Sequence, residues 1–315
     1  MSTSTSRHVV INEVGLRDGL QSIATILTTQ QKQEWILNAY QAGIRELEVG
    51  SFVPPKLLPQ LADTAELVAY AKTLPGLFVS VLVPNLKGAE RAIDSGADLM
   101  VLPISASYEH SLANVRKTPD EMLIELERIQ AAKQAAGAST IIEAGIGTAF
   151  GCSLQGHVDK SEVLRLSQSA LEAGADRISL ADTVGYADPR KVSELFSQVI
   201  ALVGDQCWRA HFHDTRGLAL ANVCAALEVG ITRFDASLAG IGGCPNSPGA
   251  SGNVATEDLA FMLSSMQHEI DIDITKLLEL REKVAKWLSS EETYGTLWRA
   301  GLPKIFEAND LRINE

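Results

Sequence analysis

Trp208-Arg-Ala-His-Phe-His-Asp-Thr-Arg-Gly-Leu-Ala-Leu-Ala-Asn-Val-Cys-Ala-Ala-Leu-Glu-Val-Gly-Ile-Thr-Arg-Phe-Asp-Ala-Ser-Leu238 holds one full structural period of this chain. Its first six residues read as a buried strand and 218–229 as an amphipathic helix. Val229-Gly230 ends the helix, because glycine accepts the positive φ favoured just past a helix terminus. Residues 233–238 read as the next strand. The period recurs in both directions. Strands are expected at 9–14, 46–52, 78–83, 99–104, 141–146, 177–181, 208–213 and 233–238. Helix-like stretches lie between them at 28–42, 63–72, 119–136, 161–173, 189–203 and 218–229. Ala42-Gly43, Ser95-Gly96 and Ala173-Gly174 repeat the helix-ending signal. Eight strands alternating with helices in about 250 residues predict an α/β fold, the (β/α)₈ TIM barrel. A doubly wound sheet would be expected to carry a glycine-rich turn after its first strand. Here that turn is Arg17-Asp-Gly-Leu-Gln21.

Within the opening stretch, His211-Phe212-His213-Asp214 ends its strand. Residues two apart on a strand point the same way, so His211 and His213 aim at one place and Phe212 aims away. Arg17-Asp18 ends the first strand. Two imidazoles and the Asp18 carboxylate suit a divalent cation. Arg17 would place a fixed positive charge beside it, which suits chemistry passing through an oxyanion or enolate. Arg17, Glu48, Asp182, His211 and His213 are all expected at strand ends on the face where barrel active sites sit.

The chain has 315 residues, 46% of them apolar and only 5% aromatic, so an aliphatic core of helices on a sheet is expected. A net charge of −12 argues against nucleic acid and anionic membrane partners. No apolar run is long enough to span a bilayer, and the first residues lack a signal-peptide core. The four cysteines, Cys152, Cys207, Cys224 and Cys244, show no framework spacing, which fits a reduced, cytoplasmic protein. We expect a catalytic barrel over 1–270 and a helical extension over 271–315 packed on it. A helix at 274–290 is marked by Leu277, Leu280, Val284 and Trp287.

Gly240-Ile-Gly-Gly-Cys-Pro-Asn-Ser-Pro-Gly-Ala-Ser-Gly-Asn253 follows the eighth strand. A phosphate cradle, a passive linker and a lid delivering Cys244 compete as readings of it, and the lid is favoured. Asn253 precedes a helix. It is open here whether it caps that helix or turns its carbonyl oxygen to the metal.

Glu13-Val-Gly-Leu-Arg-Asp-Gly-Leu-Gln21, Ser51-Phe-Val-Pro-Pro-Lys56, Pro84-Asn-Leu-Lys-Gly88, His211-Phe-His-Asp-Thr215 and Gly242-Gly-Cys-Pro…Gly249-Ala-Ser-Gly-Asn-Val-Ala-Thr-Glu-Asp258 together resemble 3-hydroxy-3-methylglutaryl-CoA lyases. The resemblance reaches to about residue 290. It implies a barrel that cleaves a 3-hydroxyacyl-CoA to acetyl-CoA and a keto acid. It implies Mg²⁺ or Mn²⁺ on Asp18, His211 and His213, with Asn253 at or near the metal. Arg17 would stabilise the enolate and Cys244 would donate or accept a proton. Glu48 and Asp182 fall where the family has functional acids, and a homodimer is suggested. The chain departs from the family at Glu143 and Gly145, where an arginine and a tyrosine are usual, and over 105–114. These departures are expected at the barrel mouth. They keep a related substrate such as citramalyl-CoA in view. A Claisen-type acyl-CoA synthase is the alternative within the same chemistry, and the Cys244 loop favours cleavage over it. A metal hydrolase more commonly carries its HxH pair on the first strand.

Overall fold

A computed structural model describes residues 6–243, 252–304 and 306. Eight parallel strands close into a barrel in chain order, with β8 paired to β1. They are β1 Val10–Glu13, β2 Glu46–Ser51, β3 Phe78–Leu82, β4 Leu99–Ser105, β5 Ile141–Gly147, β6 Arg177–Asp182, β7 Cys207–Phe212 and β8 Arg233–Ala236. Each lies within two residues of its expected bounds. The surrounding helices are α1 Thr29–Gln41, α2 Thr64–Ala71, α3 Leu86–Ser95, α4 Tyr108–Val115, α5 Pro119–Ala135, α6 Lys160–Glu172, α7 Pro189–Val203 and α8 Ala219–Glu228. The fold class is therefore the (β/α)₈ barrel expected.

Of α3 the sequence marks only the end, at Ser95-Gly96, and of α4 nothing. Asn85 and Ser107 start α3 and α4 by accepting hydrogen bonds from Gly88 N and His110 N. The glycines that end the helices do so for the reason expected. Gly43, Gly96, Gly174 and Gly230 all have φ between 75° and 105°.

The apolar core lies between the barrel and its helices. Trp35, Phe196 and Phe212 are buried there, and Phe212 stands 6.3 Å, ring to ring, from both Phe150 and Phe196. This is the outward face predicted for Phe212. The barrel interior is different. Arg209 on β7 meets Glu46 on β2, Glu143 on β5 and Asp235 on β8. Strands on opposite walls contribute to one cluster, so these side chains must cross the inside.

Beyond the barrel, α9 Thr256–Ser265, α10 Ile274–Trp287 and α11 Leu297–Ala300 complete the described chain. Lys283 of α10 pairs with Glu34 of α1 at 3.0 Å, and Asp273 N donates to Ala42 O at 2.8 Å. Arg281 reaches Glu257 at 3.3 Å and lies 4.0 Å over the Trp298 ring. No helix among the described residues is long and apolar enough to cross a membrane.

Candidate active site

The site is built on the C-terminal ends of β1, β2, β7 and β8. β7 delivers the histidine pair as its alternation requires. The two Nε2 atoms face each other 3.0 Å apart. Asp18 Oδ2 is 4.0 Å from His211 Nε2 and 3.6 Å from His213 Nε2. The three donors lie within 4.8 Å of one another, all on buried residues.

Asp18 does not end a strand, as the sequence reading had it. After β1 the chain makes a single wide helical turn, Gly15–Gly19, in which Val14 O accepts from Arg17, Asp18 and Gly19 N. That turn carries Arg17-Asp18 inward from the barrel wall. It needs glycine at both ends. A Cβ on Gly15 would come within 2.7 Å of Trp35, and one on Gly19 within 2.7 Å of Ile241. Glu48 is likewise inside its strand rather than at its end. It lies just before the irregularity between Glu48 and Gly50.

Arg17 ties these acids together. Its Nε donates to Glu48 Oε2 at 2.7 Å and its Nη1 to Asp18 Oδ1. Nη2 has no hydrogen-bond partner among the described residues. Burial would raise the Asp18 pKa, but Arg17 and the two histidines outweigh it and hold the carboxyl low. For Glu48 burial wins over Arg17 and pushes the value up to about 7. His211 is raised, because its hydrogen bond and charge interaction with Asp235 outweigh its burial.

Asn253 returns the chain to the site. It bridges to His213 in antiparallel register. Its Nδ2 donates to Asp18 Oδ2 at 2.7 Å and Ile241 O at 3.1 Å. Two acceptors on one side fix the amide's orientation. Its Oδ1 is then buried with no partner among the described residues, where such a group normally finds one. The open choice at this residue is settled in part: Ala255, not Asn253, precedes the first turn of α9.

This donor set fits a divalent cation. Octahedral cis ligands at about 2.1 Å stand roughly 3 Å apart, the separation of the two Nε2 atoms. The Asn253 carbonyl is an unused hard donor beside them. Asp235 fixes His211 by taking its Nδ1–H at 3.0 Å, leaving Nε2 for a metal.

Asp182 ends β6 and is not one of the three candidate metal ligands, but its carboxyl is close enough to His213 and His211 to feel their charge. Its oxygens accept Tyr186 N at 2.7 Å and Ala187 N at 3.1 Å, closing the turn after β6. Cys244 lies outside the described residues. Gly242, two residues before it, packs so closely that a Cβ would fall 2.4 Å from Asn253 Nδ2. Glu143 is not at the mouth. It is the third residue of β5, bonded to Trp208 Nε1 at 2.7 Å and facing Arg209, in the lower barrel. It pairs with a buried cation other than Arg17. Gly145 is half-buried, and a Cβ there would meet Val101 at 3.2 Å and Ser179 at 3.5 Å. A cavity of about 330 Å³ does open at the other end of the barrel, lined by Glu46, Phe78, Trp208 and Arg233 among others. It is walled by strand N-termini and lies away from the triad.

The HMGL-like family model matches residues 8–284, most of the chain. The chain belongs to the HMGL-like family. Its curated relatives include the hydroxymethylglutaryl-CoA lyase YngG of Bacillus subtilis, 38% identical over 285 residues, 90% of this chain and 93% of that protein. The human mitochondrial hydroxymethylglutaryl-CoA lyase is 37% identical over 273 residues, covering 87% and 83%. Among solved structures, an HMG-CoA lyase from Acinetobacter baumannii in complex with coenzyme A and 3-methylmalate aligns with a TM-score of 0.90. It is 38% identical and covers 97% of this chain and 99% of its own. The family is enzymatic and metal-dependent.

Sequence reading missed Asp235, Glu13 and Glu257. Asp235 stands between Phe234 and Ala236, an acid inside an apolar strand, while Glu13 and Glu257 have polar neighbours in Asn12, Thr256 and Asp258 and carry no such mark.

Proposed function

We propose that this enzyme cleaves the carbon–carbon bond of a 3-hydroxyacyl-CoA bearing a second carboxylate. 3-Hydroxy-3-methylglutaryl-CoA is the first candidate, with acetyl-CoA and acetoacetate as products. The observation that carries this is the buried Asp18–His211–His213 cluster with Arg17 beside it and an unpaired Asn253 carbonyl facing in. The names of its relatives support the substrate class.

Mg²⁺ or Mn²⁺ on Asp18, His211, His213 and Asn253 Oδ1 would polarise the substrate oxygens and lower the pKa of the tertiary hydroxyl. As that proton passes to Cys244, taken here as the thiolate, the hydroxyl oxygen becomes the carbonyl of the departing keto acid and the electron pair of the C2–C3 bond moves toward the thioester. Negative charge then grows on the thioester oxygen. Arg17 meets it with Nη2, its Nε and Nη1 being engaged by Glu48 and Asp18. Glu48 fixes the plane of the guanidinium, so no reorganisation is needed as the charge appears. The enolate carbon takes a proton, a role we give to Cys244. Gly242, two residues before Cys244, lies beside Asp18 and Asn253.

The second reading is a shorter hydroxy diacid such as citramalyl-CoA, favoured by the 3-methylmalate held with coenzyme A in the Acinetobacter relative. One experiment tests both. Acetyl-CoA release is measured from hydroxymethylglutaryl-CoA and citramalyl-CoA, with EDTA and after adding back Mg²⁺ or Mn²⁺. Release that EDTA abolishes and the metal restores is expected. Metal-independent release, or none from either thioester, would overturn the proposal.

A further inference from the structure

Beneath the triad, one row of the barrel runs across three strands. Asn12 on β1 is the register partner of Asp235 on β8, which is the partner of His211 on β7. Their side chains continue the row. Asp235 Oδ2 accepts from His211 Nδ1 at 3.0 Å. On its other side, Asp235 Oδ1 accepts from Asn12 Nδ2 at 2.7 Å and faces Arg209 Nη1 at 3.4 Å. Arg209 is 1% exposed and is held in turn by Glu46 at 3.2 Å and Glu143 at 3.7 Å. Trp208 closes the row from below. A register irregularity in β7 makes it an extra residue. Its ring lies near Arg177, Arg209 and Arg233, at 5.4, 5.0 and 4.8 Å.

We propose that Asn12, Asp235 and Arg209 are positioning residues for His211, clamping the Asp235 carboxylate so that His211 keeps its proton on Nδ1 and offers Nε2 to the metal. This rests on the metal reading above. A neutral imidazole has one nitrogen with a free lone pair, and the hydrogen bond at the other nitrogen decides which. His213 has no such partner. Its Nδ1 is buried and unpaired among the described residues, and its place is set by the backbone bridge to Asn253. The two ligands are therefore oriented by different means. Only His211 depends on a side chain whose far oxygen is itself tied down.

The clamp has a directional consequence. In Asp235→Asn, Asn12 and Arg209 are both donors and would attract the new amide's oxygen. Its NH₂ would then face His211 Nδ1 and drive the imidazole proton to Nε2, taking the lone pair from the metal. This is the wrong-tautomer logic known for a carboxylate-to-amide change beside a catalytic histidine. Adding Asn12→Asp reverses the polarity. The new carboxylate on β1 accepts from the NH₂ of the new amide on β8, the amide oxygen turns to His211, and the Nδ1–H tautomer returns.

The test is a Mn²⁺ titration followed by electron paramagnetic resonance of the free ion, on wild type, Asp235→Asn and the Asn12→Asp/Asp235→Asn pair, with thermal unfolding of each. Asp235→Asn is expected to weaken Mn²⁺ binding about 10–100-fold, and the pair to recover most of the loss. A structural role alone would not be rescued by swapping the two residues. Asn12→Ala removes only the 2.7 Å contact. It is expected to weaken Mn²⁺ severalfold and carries the test if Asp235→Asn does not fold. Wild-type affinity in a folded Asp235→Asn or Asn12→Ala, or a pair as weak as Asp235→Asn, would overturn the inference. A wild-type chain that binds no Mn²⁺ would overturn the metal reading and this inference with it.

Discussion

Glu13→Gln should make the protein more stable above neutral pH and leave it little changed in mild acid. Glu13 ends β1 and is buried. Its Oε1 accepts from Gly15 N at 2.9 Å and Leu238 N at 3.0 Å, and Thr256 Oγ1 meets its Oε2. It therefore joins the turn bearing Arg17-Asp18 to the chain leading into the glycine-rich segment. Burial outweighs these hydrogen bonds and raises its pKa from 4.5 to about 7. Between those values the folded chain binds the proton and the unfolded chain does not. Stability contributed by this group is thus present below about 4.5 and lost as pH rises through 7. The whole swing is worth about 3 kcal/mol. Glutamine imitates the protonated acid, with its oxygen accepting both N–H groups and its NH₂ donating to Thr256, and it cannot ionise. Wild type and Glu13→Gln should be melted at pH 5, 6, 7 and 8. The variant's melting temperature relative to wild type should rise between pH 5 and 8 by on the order of 6 °C, at 2–4 °C per kcal/mol for a large domain. A difference that stays constant across this range would refute the reasoning, because it would mean Glu13 ionises alike in both states.

Arg17→Gln should lower kcat by about 10²–10⁴ with little change in KM, as expected of a donor used mainly when charge reaches the thioester oxygen. A raised KM with normal kcat would reassign Arg17 to binding. Asp18→Asn should cut metal affinity and turnover together by at least about 10-fold, the scale of losing even an indirect support of a ligand; isothermal titration with Mn²⁺ and steady-state rates check it, and unchanged affinity would remove Asp18 from the site. Glu143→Gln should leave the ratio of kcat/KM for hydroxymethylglutaryl-CoA and citramalyl-CoA within about threefold, under 1 kcal/mol. A larger change would return Glu143 to the substrate pocket.

The barrel was legible because its signals are local and repeated. Apolar runs of strand length, helical periodicity and Gly43, Gly96, Gly174 and Gly230 after helices each report on a few neighbouring residues. His211 and His213 were legible for the same reason, since strand alternation alone puts them on one side. Asp18 was assigned to the right cluster by the wrong geometry. A wide helical turn after a strand leaves only the glycines at 15 and 19 as its mark, and they serve many kinds of turn equally. Asp235 was missed because its role exists only across strands, in a register of β1, β7 and β8 that no local pattern encodes. Glu143 was misplaced because a residue's height in the barrel depends on where its strand starts. A departure from a family pattern says that the environment changed but not at which level.

That correction moves the question of substrate choice. Glu143 sits in the packed lower barrel with Arg209 and Trp208, and Gly145 stands above it beside Val101 and Ser179. A carboxylate there is already matched to a cation and cannot repel the substrate's own acid. Of the departures noted, only 105–114 reaches the mouth. Ser105 is the last residue of β4 and its Oγ is 2.7 Å from His110 Nδ1 on α4. Burial lowers the His110 pKa, which favours a neutral imidazole. A neutral hydroxyl–imidazole pair can exchange hydrogen bonds with a carboxylate or a carbonyl, but it adds no fixed charge. It would discriminate by position more than by attraction, and position is where a five-carbon and a six-carbon hydroxy diacid differ. We therefore propose that the acyl group is read on the wall of the mouth built from β4 and α4, while the charged floor supports the metal ligands proposed above.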